Sequence, residues 1–252
     1  MLHPLTQTRR RLPTPEQDRQ PTAAPWTLAR RAAIEGIGTA FLLATIVGSG
    51  IMGDRLSGGN PWQTLLANSL ATGAVLVALI TAFAPLSGAH FNPIVTLVEA
   101  SLGPHSWKDV LAYLPAQTAG AFAGVAAAHV MFGEPLFSVS HRARGGVALI
   151  FAELIATMGL LAVVLTSSRS GGRNAALAVG SYIAAAYWFT SSTSFANPAV
   201  TLARSVTDTF AGIRPADVPG FVIAALAAAT GVALLSRWLI RRAPSGSEPS
   251  GD

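Results

Sequence analysis

The chain has 252 residues and no cysteine, which excludes disulfides and thiolate metal sites. It is also poor in charge. Asp, Glu, Lys and Arg together make up 12% of it, against about 25% in average soluble chains. No His, Glu or Asp cluster has metal-ligand spacing, no nucleophile stands beside a credible base, and no glycine run follows a strand. A catalytic constellation is therefore missing, and neither an enzyme nor a resident cofactor is expected. Residues 1–25, rich in Pro, Arg, Gln and Thr, contain no apolar run of the kind a secretory signal needs. The tails at 1–28 and 243–252 read as disordered.

Apolar residues, at 51%, are concentrated in long blocks. A spanning helix needs about 20 mostly apolar residues. Six blocks qualify, at about 29–51, 62–84, 108–132, 147–167, 175–193 and 217–240. Each carries Gly, Ala, Ser or Thr at intervals, the small residues that let helices pack closely in lipid. The expected fold is an all-α, multi-pass membrane domain over 29–242. The net charge of +5 does not imply a nucleic-acid partner, because the basic residues sit in tails and connections. With six spans both termini share a side, and that side collects 12 of the 17 Lys and Arg residues. The excess predicts cytoplasmic termini, in the plasma (inner) membrane of a bacterium.

Two connections do not read as loops. Residues 85–106 and 194–215 each hold an apolar, helix-like stretch too short to span. Re-entrant segments are expected, tolerated where they pack on protein or line water. Both stretches start at Asn-Pro, within "SGAHFNPIVTL" (87–97) and "TSFANPAVTL" (193–202), with Asn92 and Asn197 105 positions apart. "AAIEGIGTAFLLA" (32–44) matches "LIFAELIATMGLLA" (149–162) when Glu35 is paired with Glu153. Three spans per half invert the second copy, giving repeats of about 29–132 and 147–240 whose sites lie near the midplane.

Proline suits the first position of a helix and asparagine caps it, so Asn92-Pro93-Ile94 and Asn197-Pro198-Ala199 each announce a helix start. In an inverted repeat the two starts meet head to head. Each brings about half a positive charge, and the asparagine amides donate into the space between. Such a constriction accepts water and hydroxyl oxygens and repels cations and protons.

These boxes, with "AQTAGAFAG" (116–124), resemble the aquaporins, the major intrinsic protein family of water and glycerol channels, over about residues 30–240. The resemblance implies six spans plus two half-helices, a homotetramer in lipid with one pore per protomer, and Asn92 and Asn197 donating to the permeating file. It also implies that Glu35 and Glu153 buttress the re-entrant backbones, and that His90 lines the pore near its cytoplasmic side. Water-specific members continue the second box with arginine; here position 200 is valine. Family spacing places Thr72, Ser194, Val200 and either Tyr187 or Ala185 in the selectivity filter. Without the bulky aromatic and fixed cation of strict water pores, the filter is expected to be wide, favouring polyols or neutral metalloid acids. "NPAVTLARSVTDTFAGI" (197–213) resembles the arsenic-resistance branch and suggests arsenous acid.

Arg204, four residues past Val200, either lines the outer vestibule about 6 Å further along the helix or snorkels to the interface and pairs with Asp208. "HRARGG" (141–146) reads as a solvated turn. The main rival to a passive channel for small neutral solutes is an ion-coupled transporter with inverted repeats. A membrane enzyme and a non-conducting junction protein are weaker rivals.

Overall fold

The computed structural model describes residues 26–103, 105–169 and 174–240. The expected tails lie outside these residues, except that Thr27 already caps the first helix. Among the described residues eight α-helices follow one another: α1 (Leu28–Leu56), α2 (Pro61–Ser87), α3 (Pro93–Leu102), α4 (Trp107–Phe132), α5 (Val147–Arg169), α6 (Ala175–Phe189), α7 (Pro198–Ala203) and α8 (Val218–Ile240). Local chemistry sets their starts. Asn60 accepts from the N–H groups of Trp62 and Gln63 ahead of Pro61, and Ser106 and Asp109 form a reciprocal capping box at α4. Gly88, Gly103 and Gly133 end α2, α3 and α4 in the left-handed region, where glycine carries no Cβ penalty.

Helices α1, α2, α4, α5 and α8 are long and apolar enough to cross a membrane. The fifth block is shorter than its apolar run. Helix α6 has 15 residues, about 22 Å of rise, and stops at Phe189 instead of continuing to 193. Thr193, Ser194 and Ala196 then take φ of 62°, 49° and 45°, a conformation incompatible with helix. The second re-entrant helix is also shorter than the first. Helix α7 has 6 residues and tightens into a 3₁₀ turn at Arg204–Val206, whereas α3 has 10.

Helices α1–α4 fall within the first expected repeat and α5–α8 within the second, which sets α3 opposite α7 in the comparison. The repeats meet along α2 and α6, and α3 and α7 touch each other between them. Small residues make the close contacts possible. A Cβ on Gly120 would stand 2.1 Å from the Gly36 carbonyl oxygen, and one on Gly180 would stand 2.6 Å from that of Gly73. These are backbone-to-backbone approaches, the usual basis of helix association in lipid.

Gly38 is a special case, since a Cβ there would lie 2.0 Å from the Phe91 ring. Phe91 is itself 1% exposed and held at φ 47°, so neither side can yield cheaply. Gly38→Ala should destabilise the fold by about 1–3 kcal/mol, as overpacked cores do. A melting midpoint in detergent equal to that of the wild type would contradict this packing.

Candidate functional site

The two Asn-Pro starts adopt nearly the same conformation, with φ and ψ of −154° and 119° at Asn92 and of −158° and 113° at Asn197. Each asparagine spends its oxygen on its own helix. Asn92 Oδ1 accepts from Ile94 N at 2.9 Å, and Asn197 Oδ1 accepts from Ala199 N at 3.0 Å. The threonine of each motif bonds back to the cap carbonyl, Thr96 to Asn92 O at 3.1 Å and Thr201 to Asn197 O at 2.9 Å. Each amide nitrogen then reaches across the repeat axis. Asn92 Nδ2 donates to Ala196 O and Asn197 Nδ2 to Phe91 O, both at 2.8 Å. A side-chain amide has two N–H groups, so one of each pair ties the halves together and the second is left for the cavity that both asparagines line.

Left-handed residues precede both asparagines: Ala89 and Phe91 in one half, Ser194 and Ala196 in the other. Non-glycine residues hold this conformation only where their surroundings enforce it. Both loops hydrogen-bond to the two glutamates. Glu35 is fully buried and accepts from Ser87 Oγ (2.6 Å), His90 N (3.0 Å), Phe91 N (2.6 Å) and Gln117 Nε2 (2.9 Å). Glu153, 1% exposed, accepts from Phe195 N at 2.9 Å and Ala196 N at 2.8 Å. Gln117, within "AQTAGAFAG", also donates to Thr96 Oγ at 3.0 Å, so α4 joins the first buttress. With its hydrogen given to Asn92 O, the Thr96 hydroxyl accepts from His90 Nδ1, 3.0 Å away.

A cavity of about 690 Å³ runs from Pro85, Ala175 and His105 past Asn92 and Asn197 to Tyr187 and Arg204. His90, Thr72, Ser194 and Val200 line it as well. Of the two sixth-helix candidates, Tyr187 faces this space, its hydroxyl 3.3 Å from Thr72 Oγ, while Ala185 is exposed on the far side of α6. The rest of each Asn-Pro box faces elsewhere. Ile94 and Ala199 are fully buried in core clusters, and Pro93 and Pro198 border a separate apolar cleft beside Leu114 and Phe122.

Arg204 lies neither at the interface nor against Asp208. It is 2% exposed, its Nε donates to Ala211 O, and its guanidinium carbon stands 3.5 Å from the Phe195 ring centroid. Asp208 instead takes the N–H of His141 at 2.9 Å and its ring nitrogen at 3.0 Å. Of the alternatives the sequence leaves open, Tyr187 and not Ala185 faces the cavity, and Arg204 lines it one turn beyond Val200 and does not pair with Asp208. Short helix α7 explains the cation. The chain leaves the α-helical path at Arg204, and the 209–213 segment folds back to accept its hydrogen bond.

The turn at 141–146 is also more than a solvated turn. Arg144 donates from Nε to Gly212 O at 2.8 Å and from Nη1 to Thr193 Oγ1 at 3.3 Å, with its guanidinium carbon 5.1 Å from the Phe195 centroid. Burial, with the neighbouring Arg142 charge, lowers its pKa to about 10, so it stays cationic at neutral pH. Asp217 fixes the turn by accepting from Arg144 N at 2.8 Å and from Arg214 Nη2 at 2.9 Å. Nothing in the hydropathy pattern marks Arg144; its partners are loop carbonyls distant in sequence. His105, at the opposite mouth, went equally unmarked. Its ring lies edge-on to His90, centroids 4.5 Å apart, and burial lowers its pKa, which keeps it neutral at pH 7.

A family model described as major intrinsic protein matches residues 22–191. Aquaglyceroporin AqpS of Rhizobium meliloti (strain 1021) is 52% identical over 216 residues, covering 86% of this chain and 92% of that protein. Aquaporin NIP1-3 of Oryza sativa subsp. japonica is 32% identical over 186 residues, covering 71% and 64%. Aquaporin NIP6-1 of Arabidopsis thaliana is 28% identical over 161 residues, covering 62% and 52%. With the family model spanning more than half of its length, and with paired Asn-Pro helix starts facing one cavity, this chain belongs to the major intrinsic protein family.

Proposed function

We propose that the chain is a passive channel for small uncharged solutes: water, glycerol-like polyols and neutral metalloid acids such as arsenous acid. The observation that carries this reading is the head-to-head pair of helix N-termini, whose asparagine amides each keep one N–H for a cavity lined by both halves. The paired positive helix ends repel cations there, and the crossed amide bonds fix the donors in place. Val200 leaves an apolar wall where a filter arginine would narrow the passage, and that favours solutes larger than water. The name of the R. meliloti relative, an aquaglyceroporin, points the same way. Thr72, Tyr187, Ser194 and Val200 form the filter in this reading, His90 lines the inner half, and Arg204 stands in the outer vestibule. The assembly is a homotetramer in the lipid bilayer, with both termini cytoplasmic.

The ion-coupled alternative is disfavoured by the state of its best proton carriers. Glu35 and Glu153 are committed to backbone N–H groups, which favours fixed carboxylates over exchanging ones. Purified protein in liposomes should speed osmotic shrinkage and allow glycerol and arsenous acid to equilibrate. An imposed proton gradient should drive no accumulation of either solute. Traces matching empty liposomes would refute the channel, and uphill accumulation would establish the carrier.

A further inference from the structure

The outer end of the cavity is rich in positive charge; the field of Glu153 reaches Arg144 and Arg204, but no ion pair forms with either among the described residues. Arg204 lines the cavity, and Arg144 and Arg142 stand near enough to act on Arg204 by charge. Arg142 donates to Phe210 O at 2.8 Å, Arg144 to loop carbonyls, and Arg204 to Ala211 O. Among the described residues, no carboxylate lies within ion-pair distance of any of the three. Four acids on that side are committed elsewhere. Glu134 pairs with Arg55, Asp208 with His141, and Asp217 with Arg214, while Glu153 holds the Phe195 and Ala196 amides.

Two polar groups at this level are buried without a partner: Arg204 Nη1 and Ser194 Oγ. Both residues are almost fully buried, 2% and 3% exposed, and both line the cavity. The Phe195 face against the guanidinium holds it flat but offers no acceptor oxygen. Orphaned buried donors are costly, and a buried cation without a partner more so.

We infer that the outer vestibule binds a small oxyanion, received by the Arg204 guanidinium and the Ser194 hydroxyl, and that the bound anion obstructs the neutral-solute path. A guanidinium presents a planar fork of N–H donors matched to two oxygens of a tetrahedral or planar oxyanion. A hydroxyl beside it adds a third donor. Arg144 and Arg142 raise the local anion concentration without needing to touch the ligand. The negative charge stops at this level because the apolar wall of Val200 stands between it and the Asn92 and Asn197 amides. The site thus couples the anionic content of the outer solution to flux through the same passage, an inference that rests on the channel reading above.

Sulfate is the probe, compared with chloride at matched ionic strength and added to the side of the vesicle opposite the termini. Glycerol flux through the wild-type channel should fall about threefold, with half-effect at ~1 mM, the affinity expected of a few charge-anchored hydrogen bonds. The sulfate-to-chloride flux ratio should return to one in Arg204→Gln and rise toward one in Ser194→Ala. Arg204→Lys, which keeps the charge and loses the fork, should bind more weakly than the wild type. Sulfate should also raise the melting midpoint of detergent-purified wild type and leave that of Arg204→Gln unchanged, a readout independent of conduction. Equal ratios in all variants, or no sulfate effect up to about a hundred times the expected half-effect, would overturn the site. Failure of the channel reading would show separately, as chloride-condition flux no faster than that of empty liposomes.

Discussion

Replacing Glu153 with leucine should remove the folded protein from the membrane fraction. The carboxylate is 1% exposed and accepts the Phe195 and Ala196 N–H groups. Leucine leaves both buried without partners, at about 1–3 kcal/mol each, and removes the bonds that hold Ala196 in its left-handed conformation. The two orphaned groups alone are a large part of a domain's stability, about 5–15 kcal/mol. Ala196 also offers the carbonyl that Asn92 Nδ2 grips, so the loss spreads into the first half. Glu153→Gln keeps one acceptor oxygen and should fold with a lowered melting midpoint. Glu35→Gln should be more damaging than Glu153→Gln, because Glu35 serves four donors through its two oxygens. Yield and melting midpoint after detergent extraction rank the three. A Glu153→Leu protein with wild-type yield and glycerol flux would show that the carboxylate is not the buttress. A folded, conducting Glu153→Gln would meanwhile separate support from proton relay, since a relay carboxylate cannot be an amide.

How far the sequence revealed this arrangement depended on the kind of contact. The helix starts at Asn92 and Asn197 were legible because capping chemistry is local: asparagine, proline and the first turn are consecutive residues. The pairing of Glu35 with Glu153 was legible because repetition repeats context as well as residue type. By contrast, Arg144 folds over Phe195 through carbonyls of residues 192, 210 and 212, and no period in a six-residue turn encodes that. Arg204 misled in part because an i, i+4 rule assumes a continuing α-helix, and α7 ends at Ala203. The sequence alone leaves the sixth-helix position open between Tyr187 and Ala185, of which Tyr187 faces the cavity. An apolar run extends hydropathy to residue 193, but backbone geometry ends the helix at Phe189. Hydropathy reports where a segment is at ease in lipid, and it is silent on where the chain must unwind to bring N–H groups to a buried carboxylate.

Val200→Arg should convert the passage toward a water pore. Val200 is 3% exposed and lines the cavity at the level of Tyr187 and Ser194, and its N–H is held by Asn197 Oδ1 at 3.3 Å. The new side chain therefore starts from a fixed backbone and projects into the space the solute uses. Glycerol flux should fall about tenfold, a barrier increase of about 1.4 kcal/mol, while water flux should change by less than about threefold, since a steric gate costs most for the larger solute. The substituted guanidinium would stand one turn from Arg204, with Arg144 also at hand and no acid to spare, so repulsion should lower the melting midpoint as well. Adding Arg204→Val tests whether charge or bulk is responsible. The double variant should regain stability by removing the second cation, yet keep its low glycerol-to-water ratio, because the bulk at position 200 remains. Stopped-flow light scattering on single and double variants reads both quantities. Equal loss of water and glycerol flux in Val200→Arg would show that position 200 does not set the width of the filter. Recovery of glycerol flux in the double variant would shift the selectivity from the size of that side chain to the field of the two arginines.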